Sequence, residues 1–175
     1  AADYEVMPGD WTNKPVTIHV TATDPEPEDG YAPSGVKSIT LPDGTVVEGD
    51  TADFVADANG KYDFIITDNG GNTFTLHTEV DNIDHLVPEA EYTMTPDVWT
   101  NGPAAIHVTA TDPKPEDGYA PSGVKSITLP DGTVVEGDTA DFTVSANGTY
   151  DFVITDNGGN TATLHAQVGN VDTVR

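Results

Sequence analysis

Cysteine is absent from all 175 residues, which excludes disulfides and thiolate metal sites. Basic residues are scarce: six Lys and Arg stand against thirty Asp and Glu, a formal charge of −24. A phosphate backbone would be repelled along both halves of such a chain, so nucleic acid is not an expected partner. No stretch reaches the roughly 18 apolar residues that a membrane-spanning helix needs, and no basic region followed by an apolar one opens the chain. Helical periodicity is missing as well. The start at Ala1 and the stop at Arg175 read as cuts through a longer protein. The acidity admits three explanations: plain solubility, divalent-cation binding, and adaptation to high salt.

What is present is a duplication. Residues 23–54 recur as residues 111–142 with one change, Glu26 to Lys114, and the offset of 88 also maps Trp11 onto Trp99, Tyr4 onto Tyr92 and Tyr62 onto Tyr150. A repeat of this length is too long for a solenoid unit and suits a small domain with one modest core. The expected division is 1–84 and 85–175, with a linker at about 81–90.

Within each copy the pattern is that of short strands. Tyr4 begins an extended segment that Pro8, Gly9 and Asp10 end, and Trp11, Thr12 and Asn13 are expected to open the first long strand. There Val16, Ile18, Val20 and Ala22 alternate with Thr17, His19, Thr21 and Thr23, the period of two of a half-buried strand. Residues 24–35 hold Pro, Gly and acidic side chains and must form a loop. Pro42, Asp43 and Gly44 mark a tight turn, and Asn59-Gly60 carries the signal of a type I′ hairpin. Tyr62, Phe64 and Ile66 should face one way, and Leu76, Thr78 and Val80 should be buried in the last strand. About seven strands per copy, with a turn every 8 to 12 residues, predict an all-β chain of two tandem immunoglobulin-like antiparallel β-sandwiches. Tyr62 and Tyr150 fall where such a fold places its tyrosine corner.

The succession WTN, VTIHVTATD, SGVKSITLPDG, NGKYDFIITDNGGN and VDNID resembles the immunoglobulin-like repeats of secreted and cell-surface bacterial proteins, especially Gram-positive ones. The resemblance spans nearly all of both copies. It implies a non-catalytic extracellular spacer or stalk, some relatives of which bind calcium or glycans, with neighbouring domains of a parent protein and cell-wall or host glycans as partners. The chain is expected to be monomeric. It departs from the commonest pattern at the insertion PEPEDGYAP before SGV, where an adhesive, carbohydrate-binding role would sit.

Immunoglobulin strand order places the loop after the second strand, the loop before the last strand and the N-terminus at one pole. The linker residues Asp81, Asn82 and Asp84 should therefore approach Asp112, Glu116 and Asp117 from one loop and Asp156 and Asn157 from another. Hard oxygen donors converging from three segments suit Ca²⁺; the alternative is a solvated acidic linker. The matching loops of the first copy, with Asp24, Glu28, Asp29, Asp68 and Asn69, have no such linker before them and are expected to bind more weakly or not at all. Neither loop follows the EF-hand spacing. Tyr31 and Tyr119 in the Pro-rich loop are candidate sugar contacts, although a loop Tyr more often covers its own strand edge. Trp11 and Trp99 should pack in the core or at its rim. His19, His107, His77 and His165 should lie on wet faces as ordinary surface residues. No nucleophile elbow, phosphate loop or poised acid–base pair is present, and catalysis is not expected.

Overall fold

The computed structural model describes residues 1–174 and contains strands, turns and loops. It resolves into two compact units, Ala1–Ile83 and Asp84–Arg175. In the first, β1 (Ala2–Met7), β2 (Val16–Ala22), β3 (Val36–Thr40), β4 (Val46–Glu48), β5 (Thr51–Ala56), β6 (Gly60–Asp68) and β7 (Thr73–Val80) form two antiparallel sheets, ordered β1-β2-β5 and β4-β3-β6-β7. The second unit repeats this with β8 (Glu89–Thr95), β9 (Ala104–Thr111), β10 (Val124–Thr128), β11 (Val134–Glu136), β12 (Thr139–Val144), β13 (Gly148–Asp156) and β14 (Thr161–Val168). The all-β sandwich expected from the strand pattern is what the chain forms. The fourth strand stays hydrogen-bonded to the third instead of crossing to the other sheet, in both units.

Alternation drives the packing. Val16, Ile18, Val20 and Ala22 are buried along β2, while His19 and Thr21 face outward. They meet Phe64, Ile66, Leu76 and Val80 from the opposing sheet, and Phe54 of one sheet stands edge-on to Phe64 of the other at 6.1 Å between ring centres. The second core is built identically around Ile106, Val108 and Phe152, with Phe142 edge-on to Phe152. At Lys37 a bulge sets three residues of β3 against two of β6, so that consecutive Ser38 and Ile39 are both buried. The same bulge recurs at Lys125 beside Asp156.

Several local expectations are corrected. Asn59-Gly60 is not a hairpin: β5 pairs with β2 and β6 with β3 and β7, so this connection passes between sheets. A type I′ turn needs positive φ at Asn59, and among the described residues none but Gly has it. Asn59 instead clamps a backbone peptide, its Nδ2 donating to the Ile83 carbonyl at 2.7 Å and its Oδ1 accepting from the Ile83 N–H at 2.9 Å. Asn147 does the same at Val171. The first long strand starts at Val16 and not at Trp11, because Thr12 makes an isolated parallel bridge to Ile83. Trp11 is half-buried, whereas Trp99 is 72% exposed and packs in no core.

The tyrosine corner is present twice. Tyr62 donates its hydroxyl to the Ala58 carbonyl at 2.7 Å and Tyr150 to that of Ala146 at 2.8 Å. Burial raises the Tyr62 phenol above its ordinary value of 10.0, and the Asp57 charge adds to this, so it stays a donor well into alkaline solution. Tyr62→Phe keeps the ring and removes that bond. It should lower stability by about 1 kcal/mol, about 4–8 °C in the melting of a unit this small. An unchanged denaturation midpoint would show that the corner is ornamental.

Candidate metal centre

The site is built on two loops that fix their own carboxylates. The loop after β9 turns back so that Asp112 Oδ2 accepts from the Gly123 N–H at 2.6 Å and from the Ser122 hydroxyl at 3.2 Å. The turn between β13 and β14 reads Asp-Asn-Gly-Gly-Asn. In it Asp156 accepts from the backbone N–H of Asn160 at 2.8 Å and from its Nδ2 at 2.9 Å. Asn157 ties the loops together, its Nδ2 donating to the carbonyls of Ser122 and Gly123. All these bonds have counterparts in the first unit, among Asp24, Ser34, Gly35, Asp68, Asn69 and Asn72.

The second unit adds a third carboxylate. Asp84, its first residue, lies across the two loops: Oδ2 accepts from the Ser122 N–H at 2.8 Å, the carbonyl accepts from Asn160 Nδ2 at 2.9 Å, and Oδ1 accepts from the Leu86 N–H at 3.0 Å. Gly158 permits this approach. A Cβ there would stand 3.2 Å from both the Cβ and the carbonyl oxygen of Asp84, while its φ lies outside the left-handed region, so any larger residue would press Asp84 away by a few tenths of an ångström.

One oxygen from each of Asp84, Asp112 and Asp156 lies within 4.8 Å of the other two. Asp84 is 1% exposed and Asp156 is fully buried. Two ligands of one ion stand at most twice the metal–oxygen distance apart, about 4.6–5.2 Å for Ca²⁺, so the cluster is of coordinating size. An all-oxygen donor set suits a hard cation in preference to zinc or copper. Asp112 Oδ1 is shielded from solvent and accepts no hydrogen bond. Burial is the main reason that the Asp112 carboxyl is pushed above its ordinary value of 3.8, opposed by the Gly123 N–H, with the charges of Asp84 and Asp156 adding to the rise.

Of the eight residues expected here, three come together. Asp81 is exposed in the first unit, where Asn82 is committed to the carbonyls of Pro8 and Asp10, both at 2.8 Å. Glu116 is exposed, and Asp117 accepts from the Tyr119 N–H. Asn157 acts as the loop clamp described above. Ser122, Gly158 and Asn160, which orient the carboxylates, were not among the expected residues; the Asp-Asn-Gly-Gly-Asn spacing was the signal for the last two.

Other candidates resolve differently. Tyr31 is 75% exposed, but Tyr119 is half-buried. Each strand histidine donates its Nδ1–H to a carboxylate directly across the ladder, His19 to Asp53, His77 to Asp63, His107 to Asp141 and His165 to Asp151, at 2.6–2.7 Å. These pairs are solvent-exposed, and such pairs contribute little. No helix among the described residues is long and apolar enough to cross a membrane. No protein-family model matches the chain, and no curated protein matches it.

The raised Asp112 value has a definite sign. Between 3.8 and that value the folded state holds a proton that the unfolded chain releases, so in metal-stripped buffer this group makes stability fall as pH rises through the window. Asp112→Asn should lose that part of the slope and melt higher than the parent at pH 7 without metal. Parallel pH–stability curves for the two proteins would contradict the assignment.

Proposed function

We propose that the chain is a non-catalytic spacer of a secreted or surface-displayed protein, whose second unit is stiffened by a divalent cation, Ca²⁺ by preference, held by Asp84, Asp112 and Asp156. The observation that carries the reading is the trio of carboxylates, two of them buried, with one oxygen left without a donor. Like charges at that spacing, removed from water, destabilise the fold until a proton or a cation offsets them. A cation would bond the segment entering the unit to two loops at its pole and so resist the pulling of that segment away from the sandwich. The duplication supports a spacer role, since length is gained by repetition, and antiparallel ladders resist extension. An adhesive reading through the Pro-rich loops is less well supported, because Tyr31 and Tyr119 differ in exposure and bivalent contact would need both.

Thermal melts in millimolar CaCl₂ against metal-stripped buffer, at constant ionic strength, test this. At 100 times the dissociation constant the cation should add about 2.7 kcal/mol to the binding unit. Asp84→Ala should abolish the shift, and equimolar increments of NaCl should not reproduce it. Melting that is indifferent to both CaCl₂ and MgCl₂ would leave the cluster as a proton-sharing site and remove the cation from the account.

A further inference from the structure

The two units offer a controlled comparison at their poles. Loop sequences and hydrogen bonds match, yet Ser34, Gly70 and Asn72 are exposed while their counterparts Ser122, Gly158 and Asn160 are buried. All three buried counterparts touch Asp84. The difference in exposure is thus the footprint of Asp84, in a segment 84–88 whose Asp84 and Pro88 are buried and whose Leu86 and Val87 are exposed. At the first pole an open groove remains, lined by Asp24, Pro25, Val36, Ile66, Asp68 and Phe74.

Gly70 lies where such a segment would cross the first pole. Its φ is outside the left-handed region, and the nearest atoms to a Cβ placed there belong to side chains of its own pole, Asp68 Oδ1 at 3.2 Å, Asn72 Nδ2 at 3.4 Å and Ser34 Oγ at 3.7 Å. At the counterpart Gly158 the closest atoms are instead the Cβ and carbonyl oxygen of Asp84, both at 3.2 Å, so there it is the passing segment that crowds the position. Phe74, where the second unit has Ala162, adds an exposed apolar wall to the groove.

We propose that the pole of the first unit receives an extended polypeptide segment of the type Asp, any residue, two apolar residues, Pro, the chemistry of residues 84–88. Its Asp carboxylate takes the Ser34 N–H, its Asp carbonyl takes Asn72 Nδ2, its backbone passes over Gly70, and its apolar residues and Pro cover the groove beside Phe74. The Asp also completes a second trio with Asp24 and Asp68. That last step rests on the cation reading above; the docking itself does not.

The test is a seven-residue leader copying residues 82–88, placed ahead of Ala1 of the full chain so that the offset of 88 is kept, beside the same leader with Asn in place of its Asp. Amide hydrogen exchange at Ser34, Gly70 and Asn72 is read with and without Ca²⁺. The Asp leader should slow exchange at these amides about tenfold or more in Ca²⁺, and the Asn leader should do so in either buffer, since it adds no charge. Protection by both leaders regardless of Ca²⁺ would sustain the docking and refute the cation. No protection by either leader in either buffer would overturn the docking, whatever the second unit does with Ca²⁺.

Discussion

Three carboxylates forced within coordinating distance, two of them shut away from water, set the terms for the rest of this molecule. Such a group is tolerable only where its lone pairs are occupied, and the structure fills them one by one: Ser122 and Leu86 serve Asp84, Gly123 serves Asp112, and Asn160 serves Asp156 twice. Asp112 Oδ1 is the remainder. The charge repulsion is met with fixed backbone donors, which are held by strands whose own geometry does not depend on the site.

That rigidity comes from the sandwich. The bulge at Lys125 adjoins Asp156, and the clamp of Asn157 on the carbonyls of Ser122 and Gly123 locks one loop against the other. Asn147 pins Val171 and Asn59 pins Ile83, so the exit of each unit is fixed to the turn that precedes its sixth strand.

The fold was legible because its signals are periodic and local. Alternation along Val16, Ile18, Val20 and Ala22 fixes which face is buried, and Pro42-Asp43-Gly44 closes a turn whose Gly44 N–H meets the Leu41 carbonyl. Asn59-Gly60 misled because the pattern cannot say that the chain changes sheets there; the partner of Asn59 is 24 residues away. At the site, topology alone brought Asp84, Asp112 and Asp156 to one pole. It could not separate ligand oxygens from structural amides, since Asn82 and Asn157 spend their donors on backbone carbonyls that sequence does not show. Glu116 and Asp117 sit on a Pro-rich excursion that carries them outward to solvent. The burial of Ser122, Gly158 and Asn160 was illegible for a further reason: identical loops in the first unit leave the same residues exposed.

The most direct test is a calorimetric titration of Ca²⁺ into the metal-stripped chain, with Asp112→Asn titrated alongside. The account predicts one saturable site per 175-residue chain, proton release that grows as pH is lowered toward the Asp112 value, and loss of the site in the variant. Heat that never saturates, or a site that survives in Asp112→Asn with unchanged affinity, would contradict it.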